Sequence, residues 1–156
     1  MNTLGQDLAH LYGRELDRLA DEIAAYGSEA DVWSTRGEQK NSPGTLALHV
    51  VGGLMHYIGA TLGDSGYVRD RDREFRERDV PRDHIVRRIQ ECRDVCVPVL
   101  EGLDEVVLHG PWSGELPPQL GDLTTRGFLI HLLWHLGWHT GQVYYHRLGV
   151  AGPGRV

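Results

Sequence analysis

Little in this 156-residue chain can be cross-linked, threaded through a membrane or laid against a nucleic acid. Cysteine occurs only at Cys92 and Cys96. Their C-x3-C spacing is not the C-x2-C of redox or zinc-ribbon sites, so they read as reduced thiols on a helix. No stretch approaches the roughly 18 uninterrupted apolar residues of a membrane span, and the opening MNTLGQDLAHLYGRELDRLA has no basic segment followed by an apolar one. The expectation is a cytoplasmic protein with no membrane partner. A basic excess is also missing: 16 Lys and Arg face 22 Asp and Glu, a net charge of -6, which opposes neutralisation of phosphates and so excludes nucleic acid as a partner. There is no H-E-x-x-H of zinc proteases, no paired E-x-x-H of di-iron bundles and no nucleophile-elbow serine.

Alternating strand patterns are absent as well, and helical periodicity takes their place, so an all-α single domain over residues 1–156 is expected. A first helix over about residues 3 to 26 starts at Thr3, with Gln6 completing a capping box. It puts Leu4, Leu8, Leu11, Leu19 and Ile23 on one stripe before Gly27. A second opens at NSPGT, with Ser42 as cap and Pro43 at the first helical position, and runs to about Leu62. Its inward stripe takes Leu46, His49 or Val50, Gly53 or Leu54, and Tyr57, while Gly52, Gly53, Gly59 and Ala60 allow close approach of a neighbouring helix. From Arg69 to Asp79 five arginines alternate with five acids, which predicts a solvated, self-paired connector, partly helical.

The third helix spans about residues 82 to 104, with Ile85, Ile89, Cys92, Cys96, Leu100 and Leu103 inward and a kink or local break at Pro98. After the Gly- and Pro-rich loop GPWSGELPPQLGD, a fourth helix runs from about Leu123 to His146, and residues 148–156 read as a frayed tail. Four helices with long connections after the second and third point to a four-helix bundle.

The fourth helix carries HLLWHLGWHTGQ. Residues four apart are rotated by only about 40° on a helix, so His131, His135 and His139 form one row, and Gln142 continues it. Leu129, Leu132, Leu133, Leu136, Val143 and Tyr144 fill the rest, which predicts a helix buried nearly all round, with Trp134 and Trp138 as packing residues. Buried imidazoles need partners for their nitrogens, and a divalent cation supplies one, since neutral imidazole binds zinc, nickel, copper or iron. His49, on the inward stripe of the second helix, is the natural third ligand. The competing reading is of core histidines satisfied by carbonyls or tyrosines. His56, seven residues beyond His49, and His131 are candidates for a further ligand or a supporting donor. His10, His84, His109 and His146 read as surface residues.

HLLWHLGWHTGQVYYHR resembles the last helix of the DinB-like (YfiT-like) superfamily of metal-binding four-helix bundles, SPGTLALHVVGGLMHYI resembles its second helix, and YVRDRDREF is similar to a connector in an uncharacterised branch. The resemblance covers most of residues 42 to 147 and rests on the combination of motifs. It implies one divalent ion, zinc or nickel, held by His49, His135 and His139, with Gln142 orienting a ligand and His131 outside the ligand set. It further implies a homodimer, with the exposed faces of the glycine-rich helices as one surface. The activity it implies is that of a metal-dependent enzyme, a low-molecular-weight-thiol S-transferase acting on an electrophilic small molecule or a hydrolase, with metal-bound water or thiol as the nucleophile. The alternative is a non-catalytic, stress-associated metal-binding bundle. Leu136 and Trp138 depart from the superfamily's common glutamate and histidine at these places, removing a possible acid-base or supporting group.

Overall fold

The computed structural model describes residues 1–151. The described chain is all-α, and its only β feature is an isolated bridge between Pro111 and Thr124. Four long helices dominate: α1 (Leu4–Ala24), α3 (Pro43–Leu54), α5 (Arg82–Glu101) and α7 (Thr125–Ala151). Between them lie three short ones the periodicity did not resolve, α2 (Glu29–Trp33), α4 (Arg71–Arg76) and α6 (Glu105–His109), each too short to show a full apolar period. α3 passes without interruption into a π-helical segment, Met55–Leu62.

The start of α1 is fixed by its capping box, in which Thr3 accepts from the Gln6 N–H while the Gln6 side chain accepts from Thr3 N–H. Ser42 caps α3 by accepting from Thr45 N–H, with Pro43 beginning the helix. α1 packs on α5 and α7, and α3 packs on the same two helices from the other side. Leu8, Leu16, Leu19 and Ile23 of α1, Val50 and Leu54 of α3, Ile85, Ile89, Cys92, Cys96 and Leu100 of α5, and Phe128, Leu132, Leu136 and Val143 of α7 share one core. Leu11 and Leu103 are only partly buried. Two tyrosines lock α7 in place: Tyr12 Oη donates to the Leu129 carbonyl at 2.6 Å and Tyr26 Oη to that of Val143 at 3.0 Å.

Several expectations need correcting. The local break is not found: α5 runs on through Pro98 to Glu101, the proline giving up only its own bond to the carbonyl four residues back, with less than a turn of helix left beyond it. The expected frayed tail is helical through Ala151, and residues 152–156 lie outside the described residues. His146 is buried, 4% exposed, rather than on the surface. α2 and the end of α1 fold over it, placing Tyr26 Oη 2.9 Å from Nδ1 and Ser34 Oγ 3.4 Å from Nε2. α7 is not buried all round: Trp134 and Trp138 are 58% and 56% exposed, in a row with Ile130 and Tyr145. A helix apolar on every side carries no period to say which face turns outward.

Cys92 and Cys96 are free, buried thiols with sulfurs 3.9 Å apart. Among the described residues, the stretch Pro43–Leu62 is long and apolar enough to cross a membrane by length and composition, and most of it is buried inside the fold.

Gly5 shows how tightly α1 sits on α5. A Cβ there would lie 2.7 Å from the Leu100 carbonyl oxygen and 2.9 Å from that of Leu103. Gly137, inside α7, would meet nothing within 4 Å. Gly5→Ala is therefore expected to destabilise by about 1–3 kcal/mol, and Gly137→Ala to stabilise by roughly 0.5–1 kcal/mol. Urea unfolding midpoints of the two variants check the opposite signs.

Candidate metal centre

α3 and α7 cross so that His49 faces His135 and His139. Ring centroids lie 5.2 Å apart for His49 and His135, 5.7 Å for His49 and His139, and 4.4 Å for His135 and His139. One nitrogen from each of the three rings falls within 4.8 Å of the other two. All three residues are partly buried. The four-residue spacing on α7 puts two rings one turn apart on one face, and the tyrosine bonds to Leu129 and Val143 anchor α7 to α1 and the turn after it.

Two of the rings are held by acceptors that fix their tautomers. His49 Nδ1 lies 3.0 Å from Glu74 Oε2. An ionised carboxylate only accepts, so the proton sits on His49 Nδ1 and the lone pair is left on Nε2. His139 Nδ1 lies 2.6 Å from Gln142 Oε1, which likewise accepts a proton and leaves Nε2 bare. The Nε2 atoms of His139 and His135 are 3.0 Å apart. Without a cation, one of that pair must point a proton at the other; with one, both lone pairs serve as ligands. Three imidazoles, two of them oriented through Nδ1 by side-chain oxygens, make a donor set that fits a divalent transition ion.

Glu74 was not foreseen. It sits in the alternating run expected to be a solvated, self-paired connector, yet it is only 6% exposed. Arg69 holds both of its oxygens, Nε to Oε1 at 2.7 Å and Nη2 to Oε2 at 2.9 Å. Room for the carboxylate comes from Gly52, where a Cβ would lie 2.1 Å from Oε1. It is thus a side chain, rather than a neighbouring helix, that approaches closest at this glycine. Phe75, the one aromatic in the run, packs on the His49 ring with centroids 4.9 Å apart. That lone apolar residue among charges was the available signal that one face of the connector turns inward.

Burial by itself would raise the Glu74 pKa, but hydrogen bonds from His49 and Arg69 outweigh it and hold the carboxyl below its ordinary value. Burial, reinforced by repulsion from His139 and His49, pushes His135 down to about 3. His139 is lowered chiefly by burial, with Gln142 opposing. Both α7 rings are therefore neutral at pH 7, the state a metal requires.

The remaining candidates stand apart. His56 lies seven residues along from His49, a rise of about 10 Å, and its ring packs edge-on against Tyr57. His131 stacks between Phe128 and His135, its centroid 6.4 Å from that of His135, and is not one of the three converging rings. His10, His84 and His109 are exposed. Beside the three imidazoles a cavity of about 560 Å³ opens between α3, α7 and the loop around Pro117 and Pro118, and His49, His131 and His135 line it. No family model, no curated protein and no solved structure matches the chain.

The pKa directions fix a pH dependence for the metal-free protein. His135 is lowered on folding, from an ordinary 6.5 to about 3, so the unfolded chain takes up a proton first. Stability is full above about 6.5 and is lost as the pH falls from there toward 3. Glu74 is also lowered, so its contribution is present above the ordinary carboxylate value and lost as the pH falls through the folded one. Both act in the same direction. Urea midpoints of chelator-treated protein should fall from pH 7 to pH 4, and His135→Gln should flatten the part of the decline nearest neutrality. An unchanged slope in that variant would move the titrating group elsewhere.

Proposed function

We propose that this chain is a divalent-metal-binding protein of the DinB-like four-helix-bundle type, with His49, His135 and His139 as the ligands of one zinc or nickel ion, and that it works as a metal-dependent enzyme. The observation that carries the reading is the convergence of three imidazoles from α3 and α7 with Nδ1 of His49 and of His139 each bonded to an oxygen acceptor, beside an open cavity. Core histidines satisfied by carbonyls would spend their nitrogens on the backbone. Among the described residues, the only hydrogen-bond partner of the His135 and His139 Nε2 atoms is each other.

A bound divalent ion would supply Lewis acidity, lowering the pKa of a water or thiol that reaches it and producing a nucleophile near neutral pH. The protein's own part is orientation. Glu74 and Gln142 keep two rings in one tautomer, Arg69 keeps Glu74 ionised and in place, and the cavity admits a partner from the side of His49 and His135. A low-molecular-weight-thiol S-transferase acting on an electrophile, or a hydrolase, is the activity that suits such a centre.

One observation favours the second reading, a non-catalytic metal-binding bundle: among the described residues, no aspartate or glutamate lines the cavity to serve as a general base. In that case the ion's role is to pin α3 to α7.

Mass spectrometry of untagged protein should find one divalent ion per chain. His49→Ala and His139→Ala should each abolish it, and Glu74→Gln should weaken affinity by about 10–100-fold while leaving the three ligands intact. Unchanged metal content in either alanine variant would sink the proposal. Turnover of metal-loaded protein with a panel of thiols and electrophiles separates the two readings. Metal-dependent product supports the enzyme, and no turnover combined with a large fall in Tm on chelation supports the structural bundle.

A further inference from the structure

The alternating connector borders two cavities that differ in charge. On one side of α4, a cavity of about 320 Å³ is lined by four acids, Asp70, Glu74, Glu77 and Glu91, together with Arg73 and Arg88. On the other, the cavity of about 560 Å³ beside the three imidazoles receives Arg69 and Arg71 and, among the described residues, no acid lines it. In a chain of net charge -6, a concavity with two guanidiniums and no carboxylate is a local reversal of sign.

The two arginines differ. Arg69 is committed to Glu74 through both of that carboxylate's oxygens. Arg71 enters no ion pair among the described residues. Neither acid adjacent to it in sequence, Asp70 or Asp72, forms an ion pair with it, and Asp70 is turned to accept from the Arg73 N–H at 2.9 Å. What steadies Arg71 is the Phe75 ring, 5.1 Å from its guanidinium carbon, which leaves the fork of N–H donors unspent.

Apart from the three histidines, Tyr57 and Gln119, the rest of the described wall is apolar, with the buried Val50, Leu54, Phe128 and Leu132 and the exposed Trp134. Trp134 is otherwise exposed, an arrangement whose cost a flat apolar ligand would relieve. The volume lies within the range of small-molecule sites, roughly 300–1,000 Å³.

We propose that this cavity binds a small molecule with an aromatic or otherwise flat apolar body and a carboxylate, the carboxylate on Arg71 and the body between Phe128, Leu132 and Trp134. This deepens the metal-centre reading and rests on it for which end of the ligand meets the reacting centre. Binding itself rests on the cavity alone.

The test uses the full chain, metal-loaded and chelator-treated, with 1-naphthoate and its neutral counterpart 1-naphthamide as probes. Tryptophan fluorescence reads occupancy beside Trp134, and calorimetry gives Kd. Wild-type protein in both metal states should bind naphthoate about tenfold or more tighter than naphthamide, and Arg71→Gln should bring the two to parity while leaving the naphthamide Kd unchanged. A naphthoate preference that survives Arg71→Gln and vanishes on chelation puts the carboxylate on the ion; the inference then falls and the metal centre stands. An Arg71-dependent preference in a protein that takes up no metal leaves the inference standing and removes the metal centre. Equal binding of the two probes by wild-type protein, or saturable binding of neither, overturns it.

Discussion

The arrangement of the site depends on one buried carboxylate. Taking Glu74 out of water is costly unless its charge and its lone pairs are both answered, and Arg69 and His49 answer them together. Three pieces of chain are tied by that one group: the connector that carries Arg69, the short helix that carries Glu74, and α3, which supplies His49 and, at Gly52, the space the carboxylate fills. Removing any partner leaves a buried charge uncompensated, so the connector cannot lift away from α3 without exposing the rest to water. The same contact decides which nitrogen of His49 is free. Fold and chemistry are therefore coupled through a single side chain.

How far the sequence reveals this depends on how each feature is written in it. Caps are local, and Thr3 with Gln6 or Ser42 with Pro43 announce a helix start that the structure places at the same residues. The three converging histidines were legible because i, i+4 spacing on one helix and an inward stripe on another are both periodic signals. Glu74 had no such signal. It occurs in a run whose charges cancel and whose acids look alike, and only the space left by a glycine more than twenty residues earlier distinguishes it. α7 failed for the opposite reason. Apolar on nearly every side, it offered no period from which to assign Trp134 and Trp138 to solvent or His146 to the interior. His146 is covered by a segment, Tyr26 to Ser34, whose position no local pattern encodes.

The π-helical continuation of α3 fits the same picture. Single-turn π segments cluster at functional sites, because the wider turn re-aims side chains without ending the helix. Here it begins six residues after His49 and carries Tyr57, whose ring meets Phe128 edge-on at 4.9 Å and lies under the Arg69 guanidinium, 5.7 Å away. Tyr57 is thus the residue of this segment that joins α3 in lining the larger cavity opposite α7. His56, one residue earlier, is turned against Tyr57 instead of toward the three imidazoles.

The division of labour across α4 follows from these constraints. Strict alternation sorts charges onto opposite faces only in a strand; on a helix residues two apart point nearly opposite ways, so which side each charge takes depends on register. Because Glu74 must point at His49 and Gly52, the register of α4 is set, and with it the side on which Arg69 and Arg71 emerge. Asp70 and Glu77 line the smaller cavity together with Arg73 and Arg88, and Arg88 pairs with Glu77 at 2.9 Å. A run that sums to zero in the sequence thus becomes a surface with a sign, positive where it faces the imidazoles. A neutral total licensed the expectation of a solvated connector, and it is the register imposed by one buried acid that turns the same residues into a wall of the site.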